Sequence, residues 1–204
     1  RGHRHVQDDE GFAALADNLI GADLLPRIGA VVSGYLGSPS QAAAVARLVA
    51  AVRKANPRAL YLCDPISGDD GDLYVPPETA AAVRDTLLPL ADVATPNLFE
   101  LQWMSGRCID SEADTIAAAR ALGPQRVLVT SAPAMRRNST CNLLVTPRAT
   151  IAAEHGLVPN APHGTGDLMA AMFTAGLLAG LDDETILKRS AATVFEMVAR
   201  SVKR

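Results

Sequence analysis

Short apolar runs of strand length alternate with helix-length segments along nearly the whole of this 204-residue chain, and most of the strand runs stop at a glycine, an aspartate or a threonine. Residues 28–33, 59–63, 92–94 and 126–130 read as buried strands. Residues 12–25 read as a helix ended by Pro26, and residues 39–56 as a longer one with Ser38 as N-cap and Pro57 as its stop. Further helices are expected over 77–88, 98–105, 112–122, 164–179 and 182–200. Residues 142–146 and 150–153 form a hairpin or edge pair, and 67–72 is a glycine- and aspartate-rich loop. Strands separated by helices, each strand a single buried run, predict an α/β fold: three layers, α/β/α, around a mainly parallel central sheet. No repeat or linker interrupts the pattern, so residues 1–204 are expected to form one domain.

Composition narrows the function. With 49% hydrophobic and 20% charged residues the chain can bury a core, which excludes general disorder. A net charge of −3 lacks the basic surplus of a nucleic-acid binder or an anionic-membrane binder. The apolar stretches are broken by arginines too early for a transmembrane span, and no leader peptide is visible. Cys63, Cys108 and Cys141 are too few and too scattered for a disulfide framework or a zinc cluster. The expectation is a soluble, cytoplasmic protein.

In open α/β folds ligands bind beyond the carboxyl ends of the strands. Gly34-Tyr35, Asp64-Pro65, Thr95-Pro96-Asn97 and Thr130-Ser131 all stand there, so all can face one cleft. Gly164-Thr165-Gly166-Asp167 precedes an apolar helix. Its glycines allow a tight turn whose free N–H groups, aligned with the helix dipole, hold an anion, and Asp167 sets a carboxylate beside it. Amides that hold developing charge next to a base suit phosphoryl transfer; a glycine turn with a helix-terminal aspartate is the plain alternative. No Gly-Lys pair exists, which excludes a Walker A loop, and the third glycine of the dinucleotide fingerprint is missing. Asp64 and Asp69 suit a magnesium ion against phosphates, or a solvated turn. Asn97 and Glu100 can reach the same end of the cleft, or cap a helix. Tyr35 can lie against a flat ligand, His163 can contact phosphate, and Arg136-Arg137 can steer a polyphosphate; each is equally compatible with an ordinary surface role.

The order of these segments resembles the pyridoxal kinase family of the ribokinase-like superfamily. The matching motifs are Ser33-Gly-Tyr-Leu-Gly-Ser38, Cys63-Asp-Pro-Ile-Ser-Gly-Asp69 with Leu73-Tyr-Val75, Thr95-Pro-Asn-Leu-Phe-Glu100, Val129-Thr-Ser131 and Gly164-Thr-Gly-Asp167. The resemblance implies ATP-dependent phosphorylation of the 5′-hydroxymethyl group of pyridoxal, pyridoxine or pyridoxamine. It implies Asp167 as catalytic base and Gly164, Thr165 and Gly166 as anion hole. Asp64, Asp69, Thr95, Asn97, Glu100, Thr130 and Ser131 are implied around the nucleotide, Asp64 and Glu100 around the metal, and Tyr35 at the pyridine ring. Magnesium, a monovalent cation and a homodimer are implied as well. Two features depart from the family. A Ser-His-Val strand that family members carry near their start has no counterpart here, so the chain is expected to be truncated at its N-terminus. Ser67 stands where the family usually has an apolar residue. A hydroxymethylpyrimidine kinase of the same superfamily is the nearest alternative, although that branch often has cysteine at the position of Asp167. The other alternative is a non-catalytic chain that binds ATP or a vitamin B6 compound without turnover.

Overall fold

Alternation along the strands decides the layering. A computed structural model describes residues 6–159, 161–162 and 164–202. Its strands are β1 (Ala30–Ser33), β2 (Leu60–Cys63), β3 (Gly68–Asp69), β4 (Asp72–Leu73), β5 (Val93–Ala94), β6 (Arg126–Ala132), β7 (Ser139–Val145) and β8 (Thr150–Gly156). Its helices are α1 (Asp9–Ile20), α2 (Pro39–Ala55), α3 (Pro77–Ala82), α4 (Leu98–Ser105), α5 (Glu112–Ala121), α6 (Thr165–Leu178) and α7 (Asp183–Ser201). The six-stranded sheet runs β1-β2-β5-β6-β7-β8, parallel through β6, with β7 and β8 added antiparallel. Leu62, Leu128 and Leu144 point to one face and pack with Phe173 of α6 and Ile186 and Leu187 of α7. Their neighbours turn the other way: Tyr61 and Cys63 meet Val45 and Val49 of α2, while Val127, Val129 and Leu143 meet Leu101 of α4 and Ala118 of α5. The α/β/α sandwich thus follows from period-two alternation in strands whose both faces are apolar. β1 is one edge strand, and its Val32 is 48% exposed.

Three segments differ from the sequence expectation, each for a local reason. α1 begins before residue 12 because the Asp8 carboxylate accepts from Gly11 N at 2.7 Å and caps the helix. It ends at Ile20, and Leu25–Arg27 is a separate 3₁₀ turn. Residues 77–88 are not one α-helix: α3 passes into a π turn at Val83–Leu87 and a 3₁₀ turn at Leu88–Leu90, where Pro89 lacks the N–H that an α ladder requires. The loop 67–72 is a small hairpin, with Asp70 (φ +51°) and Gly71 (φ +91°) both left-handed, as a two-residue hairpin turn demands. The uncertain pair near residue 145 is a hairpin, β7–β8.

α6 and α7 pack closely at Gly176, where an added Cβ would lie 2.8 Å from Ile186 Cγ1. Ile186 is fully buried and cannot retreat. Gly176→Ala therefore lowers the thermal midpoint, overpacking of about 1–3 kcal/mol outweighing the ~1 kcal/mol gained in helix propensity; calorimetric melting checks this.

Candidate active site

The carboxyl ends of β1, β2, β5 and β6 converge on the N-terminus of α6. Gly164, at φ +93°, turns the chain into α6 and caps it without a side-chain hydrogen bond. The first-turn amides of Thr165, Gly166 and Asp167 therefore have no intrahelical partner, and the dipole of a 14-residue helix points the same way. Asp167 is exposed in that first turn. Its Oδ1 lies 4.0 Å, and Ile66 Cδ1 3.2 Å, from where a Cβ on Gly34 would stand. A side chain at 34 would thus fill the gap between the β1 turn and the Asp167 carboxylate. Tyr35 follows directly and is 40% exposed.

Asp64 follows β2 and is only 6% exposed. Burial pushes its carboxyl up to about 7; the nearby charges of Glu100 and Asp167 add to this, and the Thr95 hydroxyl opposes it. Asp167 and Asp64 thus share one electrostatic neighbourhood. Burial also raises the Tyr74 hydroxyl, aided by the charges of Glu100, Asp69, Asp64 and Asp167, so four carboxylates act on one phenol. Ile66, between Asp64 and the β3–β4 hairpin, is held at φ +32°, a strained setting for a β-branched residue.

Asn97 and Glu100 lie at the start of α4 and form a capping box: Glu100 N donates to Asn97 Oδ1 at 2.8 Å, and Asn97 N to Glu100 Oε2 at 3.0 Å. Glu100 also accepts from Ser67 N at 2.7 Å and Gly68 N at 3.3 Å, and Asn97 Nδ2 donates to Gly68 O at 2.8 Å. Asn97 and Glu100 thus cap α4 and clasp the β2 and β5 loops together. Burial raises the Glu100 carboxyl despite these donors, with Asp69 adding to the rise. Asp69 sits in β3 on the exposed rim. Thr130 joins this frame: its N donates to Pro96 O at 2.9 Å, and it bridges to Asn97. The next residue, Ser131, is left-handed (φ +55°) at a bulge between β6 and β7.

Beside the α6 amides opens a cavity of about 200 Å³. Thr130, Ser131, Thr165 and Gly166 line its polar side; Leu157, Val158, Phe195 and Val198 provide apolar wall, and Asn142 and His155 reach it from the β7–β8 hairpin. Sequence reading missed this second group, although strand alternation puts 140, 142 and 144 on one face of β7. Arg136 pairs with Glu154 (2.6 Å), and His163 lies outside the described residues. Burial holds the Cys63 thiol up at about 12, so it is a core residue.

Among the described residues no three His, Cys, Asp or Glu side chains are grouped to hold a metal by themselves. The donor chemistry still suits magnesium, which keeps waters and phosphate oxygens and takes one or two carboxylates. A carboxylate raised by burial and, to a lesser degree, by neighbouring negative charge, as Asp64 is, gains from such a cation.

Four parallel strand ends, a glycine-turned helix N-terminus and a carboxylate beside it define a ribokinase-like kinase. The chain belongs to the phosphomethylpyrimidine kinase family, whose model matches residues 23–204. It is 35% identical to pyridoxal kinase PdxY of Granulibacter bethesdensis, over 95% of this chain and 71% of that protein. It is 43% identical to pyridoxal kinase PdxY of Vibrio vulnificus, over 88% of this chain and 63% of that one. The chain therefore spans about two thirds of the length of these relatives. The pyridoxal kinase of Leishmania donovani, solved with ADP and pyridoxamine, superposes with a TM-score of 0.87 at 29% identity, covering 100% of this chain and 72% of that one.

Two predictions follow from the buried polar groups. Ser67 Oγ is fully buried with no hydrogen-bond partner among the described residues. Ser67→Ala raises stability, on the order of 1 kcal/mol, as read by urea denaturation. Asp64, raised to about 7 in the folded state, contributes stability that is present below about pH 4 and is lost as pH rises through 7. In metal-free buffer Asp64→Asn removes that loss, so its stability advantage over the parent widens from about pH 4 to 7 and then levels off; urea midpoints across this range check it.

Proposed function

We propose that this chain is the catalytic domain of an ATP-dependent kinase that phosphorylates the 5′-hydroxymethyl group of pyridoxal, pyridoxine or pyridoxamine. The observation that carries the reading is the Asp167 carboxylate, standing beside the uncapped α6 amides and across Gly34 from the β1 turn. Pyridoxal kinases with 35–43% identity support the substrate class, and a solved relative with ADP supports the nucleotide.

In this reading the nucleoside occupies the cavity beside Thr130 and Ser131, and the phosphates run over Asn97, Asp69 and the amides of Gly164, Thr165 and Gly166. The vitamer ring lies against Tyr35, its hydroxymethyl group toward Asp167. Asp167 accepts the hydroxyl proton as the hydroxyl oxygen bonds to the γ-phosphorus. The bond from that phosphorus to the bridging oxygen breaks and ADP leaves. The α6 amides hold the charge that spreads over the transferred group, and need no reorganisation because they are fixed by the helix. Asp64 would hold Mg²⁺, with Glu100 behind it; the bound ion neutralises phosphate charge and relieves the repulsion that raises Asp64. A monovalent cation, a homodimer and a cytoplasmic setting complete the proposal. No helix among the described residues is long and apolar enough to cross a membrane.

The family's description as phosphomethylpyrimidine kinase keeps a pyrimidine acceptor, such as a hydroxymethylpyrimidine, as a second reading with the same machinery. Assay of ATP consumption with each acceptor separates the two, and ATP binding without product would indicate a non-catalytic chain. Asp167→Asn lowers kcat for pyridoxal 5′-phosphate formation by about 10²–10⁴ while KM for ATP stays near its original value. An unchanged rate would exclude Asp167 as the base.

A further inference from the structure

We infer that a second copy of this chain docks on β8 and α7 about a twofold axis, so that two six-stranded sheets join edge to edge. The inference gives the homodimer of the proposed function a surface. It rests on that part of the reading alone and involves no catalytic step.

β8 closes the sheet at the end opposite β1, and among the described residues no strand pairs with its outer side. At the two ends of the β7–β8 hairpin Thr146 N donates to Ala149 O and Leu157 N to Asn138 O. Antiparallel ladders alternate, so Ile151, Ala153 and His155 turn their backbone groups to β7, while Thr150, Ala152, Glu154 and Gly156 turn theirs outward. Exposed edges are usually guarded by lysine, proline, a bulge or shortness. β1 is short, at 4 residues, whereas β8 runs for 7 in unbroken register with neither lysine nor proline. Its one acid, Glu154, is neutralised by Arg136. Arg136 Nη2 also lies 3.4 Å from Glu154 O, and a carbonyl accepts twice, so a strand partner still finds that oxygen open.

The antiparallel register that pairs the whole of β8 with its copy centres on Ala153 and sets Ala152 opposite Glu154 of the second copy. Ala152 and Ala153 share a groove of about 430 Å³ with Lys188, Ala191, Ala192 and Phe195, which brings Ala192 of α7 beside that centre. Glu184, Lys188, Ala192, Glu196 and Arg200 follow one another four apart, along one row of α7. The charges are opposite in sign at equal distances on either side of Ala192. A twofold axis there brings Lys188 against Glu196 of the second copy and Glu184 toward its Arg200. Ala192 is exposed and small enough for the two helices to approach. A parallel arrangement would face each charge with itself. A slip of one turn would set Glu184 against Glu196, or Lys188 against Arg200. Within one chain Lys188 already pairs with Glu184 and Arg200 with Glu196, so docking joins the pairs into one run of alternating sign. Exposed pairs add little affinity, and the pattern's part is to fix orientation and register. β8 is about 24 Å long, and the charged row on α7 spans about the same length. A strip of that length, one strand and one helix deep, buries on the order of 1,000 Å² in total, the small end of specific interfaces.

Sedimentation velocity of the 204-residue chain tests the inference. A contact of this size predicts a dimer that dissociates in the micromolar range. The parent protein sediments near twice 21.4 kDa at about 100 μM and near 21.4 kDa at about 0.1 μM. Ala192→Glu and Ala192→Lys each set like charges across the axis at an exposed helical position, so each weakens the dimer at least about tenfold while the thermal midpoint hardly moves. An equimolar mixture of the two restores association as a mixed dimer. Ala152→Pro removes an N–H that faces outward, leaves the β7 ladder intact and weakens the dimer to a similar extent. A parent protein that stays monomeric at about 100 μM would overturn the inference and the homodimer with it. A dimer indifferent to substitution at 192 and 152 would lie on another surface and overturn the inference alone. So would a mixture that associates no better than either charged variant by itself.

Discussion

One buried carboxylate holds the cleft in shape. Glu100 accepts hydrogen bonds from the backbone amides of Ser67, Gly68 and Asn97, so a side chain at the start of α4 closes the loop after β2 onto the loop after β5. A carboxylate that is 3% exposed is tolerated because these donors replace the water it has lost. The clasp sets Asn97 against Gly68, stands Thr130 beside Pro96, and leaves Asp64 under the negative field of Glu100 and Asp167. Removing Glu100 would leave three amides without their partner at the point where two strand ends meet.

The same clasp accounts for the electrostatics of the cleft. Asp64, Asp69, Glu100 and Asp167 all act on Tyr74, so the region is an excess of negative charge in a protein whose net charge is only −3. Such a cluster is uncomfortable alone and settled by a cation, while the α6 amides just beyond it are settled by an anion. A magnesium-bound polyphosphate has both signs in the right order. The cleft is thus prepared for a charged pair rather than for a phosphate alone.

Much of the fold was legible because the strands carry their signal locally. Leu62 between Tyr61 and Cys63, and Leu128 between Val127 and Val129, announce strands buried on both faces, and Ser38 and Asn97 are caps that the structure uses. The early start of α1 and the π turn after α3 were hidden, since each depends on one side-chain hydrogen bond or one missing N–H, and the β3–β4 hairpin was hidden because its two-residue strands around left-handed Asp70 and Gly71 are too short to alternate. At the site, the glycines and acids next to strand ends were visible from residue type alone. The clasp made by Glu100 was not, because Ser67 and Gly68 are more than thirty positions away. Asn142 and His155 were invisible for a related reason: the cavity they line exists only once the β7–β8 hairpin meets α7.

The central claim is that Asp64 and Asp167 share one cleft, and carbon-13 NMR titration of the Asp64 carboxyl in metal-free protein tests it most directly. The account predicts a midpoint near 7 that falls when Asp167 is replaced by asparagine. A midpoint in the ordinary aspartate range, indifferent to the residue at 167, would contradict it.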